Sequence, residues 1–136
     1  MVLGSTSLRI ATGAFAAGLL VLAASVTSSF KEQARRQAIA EALADGNLAL
    51  APPIFRRYGC SGCHTIPGIA GADGKVGGPL NQFSQRVYIG GVANNTPENL
   101  TAWIVLPQRF SKNSAMPATG VTEAEARHLA AYLYAH

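Results

Sequence analysis

Between Arg9 and Lys31 the chain carries no charged residue. The stretch from Ile10 to Phe30, IATGAFAAGLLVLAASVTSSF, is 21 residues long. At about 1.5 Å rise per residue a helix of this length spans roughly 30 Å, the thickness of a bilayer's hydrocarbon core. The pattern predicts a single transmembrane anchor in residues 1–30. A cleaved signal peptide competes with it: its apolar stretch would be shorter, and Ala23-Ala24-Ser25 would suit a cleavage site. A buried helix of a soluble protein is the third reading, and the length favours the anchor. Gly13 with Ala17, and Ala14 with Gly18, have the small-xxx-small spacing that lets a second helix approach closely. The same residues also fit a weakly hydrophobic anchor with no partner.

Beyond the apolar run, KEQARRQAIAEALA from Lys31 to Ala44 is rich in alanine and other good helix formers. It predicts a helical stalk over residues 31–51, linker included, with Ala34, Ala38, Ile39, Ala42 and Leu43 near one face. Asp45-Gly46-Asn47 supplies the stop. Residues 52–136 then read as one small domain with three helices. The first starts at Pro53, suited to a first helical turn, and presents Ile54, Phe55 and Tyr58 before Gly59. The second opens at Thr96-Pro97-Glu98, with a threonine cap and an acid at the positive end of the helix dipole, and carries Leu100, Trp103 and Ile104 up to Pro107. The third opens on Thr122-Glu123-Ala124-Glu125, a capping box, and places Ala126, Leu129, Ala130 and Leu133 on one face. Pro67 to Asn95 has no clear period. A loop this long in so small a domain needs something to wrap around.

Composition narrows the functional classes. Of 136 residues, 49% are hydrophobic and 13% charged, too apolar for a disordered chain. The formal net charge is +4. Residues 52–136 hold seven basic and four acidic side chains, a net +3. With no Lys/Arg stripe this excess does not point to nucleic acid; it suits an acidic protein surface or lipid headgroups. Two cysteines exclude a disulfide-stapled scaffold.

Both cysteines fall in Cys60-Ser61-Gly62-Cys63-His64, the C-x-x-C-H pattern for covalent attachment of a c-type haem. Two thiols three positions apart can each form a thioether to one vinyl group, and the adjacent imidazole can meet the iron. A thioredoxin-like dithiol would need a βαβ context that is missing here. A zinc site needs four ligands. Cys60, Cys63 and His64 give three, and His128 and His136 have no partnering spacing. A structural disulfide leaves His64 unexplained. A low-spin electron-transfer haem takes a second axial ligand, and a thioether raises its potential relative to a second histidine. Besides Met1 the chain has only Met116, in Ser114-Ala115-Met116-Pro117. It is the thioether candidate, against the alternative of a core gap-filler. His128 is expected to face solvent or the stalk, and the terminal His136 to fray.

These features together resemble a membrane-anchored class I, mitochondrial-like monohaem cytochrome c. The residues that carry the resemblance are CSGCH at 60–64, Gly78-Pro79-Leu80, the helix Thr96–Leu106 with Trp103, and AMP at 115–117 before a last helix containing Tyr132. The stretch NTPENLTAWIVLPQRF…SAMP…GVTEAEARHLAAYL is especially similar to the cytochrome c domain fused to subunit II of caa-type oxidases. Those subunits also carry a dicopper domain, whose ligands are missing here, so the expectation is a free-standing anchored cytochrome. The resemblance implies an all-α fold: one N-terminal transmembrane helix plus a small class I domain of about three main helices wrapped around one covalent haem c. It implies axial ligation by His64 and Met116, and a Pro79 carbonyl accepting a hydrogen bond from His64 Nδ1. It also implies Trp103 near a haem propionate, helped by Tyr88 and Arg109, and a crossing of the first and last helices that brings Phe55 and Gly59 near Leu129 and Leu133.

The implied function is one-electron transfer in a respiratory chain, by a protein that is not itself an enzyme. It would act as donor to, or subunit of, a quinol-oxidising or terminal oxidase complex. The alternative is the haem-bearing acceptor subunit of a periplasmic dehydrogenase. Partners would be subunits with an acidic docking surface and the lipid bilayer; no nucleic acid or small-molecule substrate is expected. Lys31, Arg35 and Arg36 would put the C-terminal flank in the cytoplasm by the positive-inside rule. Covalent haem attachment in this family occurs on the outer side. That argues for a single-pass protein of the bacterial inner membrane with its haem domain in the periplasm.

Overall fold

The computed structural model describes the backbone from Gly4 to His136 and side-chain surroundings from residue 14 onward. Met1 to Leu3 lie outside the described residues, as do the surroundings of Arg9, Ile10 and Gly13. The chain divides into two units, residues 1–35 and 36–136.

Helix α1 spans Gly4–Ala44. It is long and apolar enough to cross a membrane, which is consistent with anchoring. In the first unit Phe15, Leu20, Val21, Leu22 and Phe30 are all exposed. Among the described residues, the hydroxyls of Ser25, Thr27, Ser28 and Ser29 bond within the helix. Ser25 Oγ donates to the Val21 carbonyl at 2.8 Å, Thr27 Oγ1 to Ala24 at 2.9 Å, and Ser28 and Ser29 to Ser25. Hydroxyls back-bonded to the preceding turn need no water, so they are compatible with a hydrocarbon environment.

In the second unit the end of α1 turns a different face inward from the one its alanine-rich pattern suggested. Ala40 and Ala44 are buried, while Ile39 and Leu43 remain exposed. A methyl side chain lets a helix approach the core closely, and Ala44 joins the core cluster. Asp45, in the left-handed conformation at φ 48°, ends the helix. A 3-10 turn at Leu48–Leu50 follows, capped by Asn47 Oδ1, and then α2, Ala51–Arg57, with two prolines in its first turn. Gly59 at φ 70° links α2 to the single turn α3, Cys60–Cys63.

The aperiodic stretch 67–95 contains a small hairpin, β1 Tyr88–Ile89 and β2 Ala93–Asn94, antiparallel with Ile89 opposite Ala93. Gly90 and Gly91, both at positive φ, make its turn, and Val92 N–H closes it onto the Ile89 carbonyl at 3.1 Å. Two consecutive positive φ angles are what a type I′ turn requires.

Helix α4, Pro97–Val105, is capped by the Thr96 side chain. Helix α5, Glu123–Ala135, carries the full capping box of Thr122 and Glu125. Its inner face, Ala126, Leu129, Ala130 and Leu133, is almost completely buried. Each leucine there contributes roughly 1.5–3 kcal/mol of burial. Helix α2 packs on α5: the rings of Phe55 and Tyr132 meet edge-on at 5.5 Å. The Glu125 carboxylate accepts from Arg57 and from the Tyr58 hydroxyl, each at 2.8 Å.

His136 is not frayed. Its ring stacks on Tyr132 at 4.1 Å, and its carbonyl accepts from Gln82 N–H at 3.2 Å. His128 Nδ1 accepts from Asn47 N–H at 2.9 Å, which ties α5 to the linker.

Candidate functional site

The C-x-x-C-H segment folds as one helical turn because its own backbone closes it: His64 N–H donates to the Cys60 carbonyl at 2.9 Å. That turn puts Cys60 and Cys63, three residues apart, on one side. His64 itself is extended (φ −116°, ψ 143°), so its imidazole leaves the turn in a new direction. Both thiols are free and half-buried. Burial pushes the Cys60 thiol up from its ordinary value. Among the described residues no three His, Cys, Asp or Glu side chains converge as metal ligands.

The loop that follows returns along this segment. Gly77 N–H donates to the Cys63 carbonyl and Leu80 N–H to the Thr65 carbonyl, both at 2.8 Å. These two bonds set the register and bring the Gly78 carbonyl to His64 Nδ1 at 2.7 Å. The resemblance had implied Pro79 for this role. The Pro79 carbonyl accepts instead from Arg86 Nη2, which also donates to Asn81 at 3.1 Å. A carbonyl hydrogen bond to the outer nitrogen fixes the ring's tautomer and presents Nε2 as a ligand.

His64 borders a cavity of about 260 Å³. Its wall carries Cys60, His64 and Gly78. The rest is largely apolar: Phe55, Phe83, Ile89, Leu100, Ile104, Leu129 and Leu133. Leu80, Arg86, Gly90, Met116 and Trp103 complete it, so a thioether and an imidazole 52 positions apart in sequence reach one space. Cys63 and Pro79 do not line it. Tyr88 is 57% exposed and Arg109 lies over Phe110 at 5.9 Å, and neither reaches the cavity. A larger groove, about 540 Å³, runs past Arg109 and Arg127, but no thiol, imidazole or thioether lines it. The chemistry therefore belongs to the smaller cavity.

Three contributors escaped sequence reasoning. Arg86 brings a guanidinium to the cavity wall and stacks over Phe83 at 4.9 Å; as a lone arginine in an aperiodic loop it left no signal. Gly77 lies against His64 so closely that a Cβ there would strike the imidazole. Gly90, the hairpin glycine, lies equally close under the Trp103 ring; the Gly-Gly pair between two apolar runs was the readable sign of it. Gln108 is the fourth residue of interest: its Nε2 donates to the Met116 carbonyl at 2.9 Å.

The residues present fit a haem. The cavity has apolar walls for a macrocycle, nitrogen and sulfur donors of the kind that hold haem iron, two free thiols in one turn, and one arginine for a carboxylate.

Residues 49–135 match the family described as Cytochrome c. Over 82 residues the chain is 37% identical to cytochrome c oxidase subunit 2 of Alkalihalophilus pseudofirmus, an alignment covering 59% of this chain and 23% of that protein. The chain thus spans less than a quarter of the relative's length.

Proposed function

This chain belongs to the cytochrome c family, which implies a covalently bound haem c, and from that premise we propose that it is a membrane-tethered, single-haem carrier of one electron at a time. The observation that carries the reading is the shared cavity of His64 and Met116. In this reading Cys60 and Cys63 would hold the haem through thioethers, and His64 and Met116 would offer its iron a nitrogen and a sulfur. The bound haem supplies the ferrous–ferric couple. The chain's own residues do the rest. The Gly78 carbonyl orients His64. The apolar wall excludes water and, with the thioether, raises the potential. Trp103 and Arg86, both on the cavity wall, would be available to a propionate. With His64 and Met116 both given to the iron, no position would remain for substrate chemistry, and in this reading the chain acts as a carrier or a non-catalytic subunit.

Residues 1–30 serve as anchor, 31–51 as stalk and linker, and 52–136 as the haem domain, on the periplasmic side of a bacterial inner membrane. The oxidase subunit to which the chain is similar supports a respiratory setting. The +3 charge of residues 52–136 favours a transient, salt-sensitive encounter with an acidic partner surface. The tether raises that partner's effective concentration.

The test is spectroscopic, on the full chain in detergent. Mass spectrometry should find the polypeptide carrying one haem, and the ferric protein should show the weak near-infrared sulfur-to-iron band. Met116→Ala should abolish that band, lower the potential and admit cyanide rapidly. Colourless protein, or a Met116→Ala variant with an unchanged band and potential, overturns the reading. Subunits retained after mild detergent extraction distinguish an oxidase-linked carrier from a dehydrogenase subunit.

A further inference from the structure

Met116 sits in a segment with little backbone support. Among the described residues no backbone–backbone hydrogen bond outside the helices is made by residues 115–121, and Pro117 has no N–H to give. A methionine side chain has three rotatable bonds, so its sulfur finds a fixed point only if its backbone is held. The Met116 carbonyl has two ties. One is Gln108 Nε2 at 2.9 Å; the other is Ser114 Oγ at a long 3.4 Å.

Gln108 is well placed to bear load. It lies in the 3-10 turn Pro107–Arg109 at the end of α4. Pro107 before it is fully buried, and Phe110 N–H closes the turn on the Pro107 carbonyl at 3.1 Å. Its other amide atom, Oε1, is buried with no hydrogen-bond partner among the described residues. An aliphatic side chain would fill the same volume, but it has no N–H to give. What the amide supplies that an aliphatic group cannot is the N–H on Met116.

We propose that Gln108 is a positioning residue that clamps the Met116 backbone and so keeps the thioether on the iron. The inference rests on Met116 being the axial ligand. It adds that retention of this ligand depends on a side chain that touches neither the iron nor the sulfur.

The experiment compares native protein, Gln108→Leu, Gln108→Glu and Met116→Ala, each as haem-loaded full chain in detergent. The readouts are the near-infrared sulfur-to-iron band and the rate of cyanide binding to the ferric form. In Gln108→Leu the fraction of molecules with methionine off the iron should rise about fivefold to tenfold, the equivalent of one net hydrogen bond, and cyanide binding should quicken by the same factor. In Gln108→Glu the carboxylate has no proton to donate at neutral pH. On acidification the protonated group can donate to the Met116 carbonyl, so its cyanide rate should fall back toward native while that of Gln108→Leu does not. A Gln108→Leu protein with native band and native rate, beside a Met116→Ala protein that has lost the band, overturns the clamp and leaves the ligand assignment standing. A fast Gln108→Glu rate that ignores acidification also overturns it, since packing alone would then be at work. A Met116→Ala protein that keeps the band removes the ligand assignment and the clamp together.

Discussion

Adjacent glycines in the return loop make a steric test of how His64 is held. At Gly77 a Cβ would land on the imidazole, whereas at Gly78 it would meet nothing within 4 Å. Neither residue has a positive φ, so alanine is free of backbone strain at both. The Gly77 backbone cannot easily retreat, because its N–H is bonded to Cys63 and Leu80 N–H to Thr65, each at 2.8 Å. The ring must move instead. Overpacking of this kind costs about 1–3 kcal/mol. Loss of the 2.7 Å bond from His64 to the Gly78 carbonyl adds about 0.5–1.5 kcal/mol. Gly77→Ala should therefore destabilise by about 1.5–4.5 kcal/mol, lowering Tm by roughly 6–36 °C in a domain this small. Gly78→Ala should be neutral, or gain about 0.4–1 kcal/mol from a less flexible unfolded chain. Thermal unfolding of the haem-loaded variants, with their visible spectra, measures both. Equal Tm values and identical spectra for the two variants would refute the packing of Gly77 against the imidazole.

Two further predictions concern the crossing of α2 and α5. Phe55→Ala removes a fully buried ring from the contact with Tyr132 and should cost about 3–5 kcal/mol, read as a lowered urea midpoint; a loss below about 1 kcal/mol would mean that the helices do not depend on this ring. The Glu125 carboxyl is held below its usual range first by the Thr122 hydroxyl and then by the Tyr58 hydroxyl. Its folded pKa is thus depressed, so its contribution is present above the unfolded value of about 4.3 and fades as pH falls through the folded value. Glu125→Gln should be less stable than native protein at neutral pH, with the two stability curves converging in acid; curves that stay parallel from neutral to acid pH would contradict the coupling.

Local chemistry was legible in the sequence. The capping residues Thr96 and Thr122, the prolines opening α2 and α4, and the single turn carrying Cys60, Cys63 and His64 all depend on bonds between residues at most four apart, and spacing alone specifies those. The length of the apolar run likewise determines a helix able to cross a membrane, and the cysteine count with its adjacent histidine points to one chemistry. Tertiary structure decided what depends on register between distant segments. Whether Gly78 or Pro79 faces His64 is set by where residues 77–80 lie against residues 63–65. Whether α1 buries Ala40 and Ala44 or Ile39 and Leu43 depends on how closely the core must be approached. Arg86 at the cavity and Gln108 on Met116 are contacts between loops without periodicity, so no pattern in the chain announces them. Hydrogen bonds across a turn are written in spacing, but those across a fold exist only once loop closure has brought their partners together.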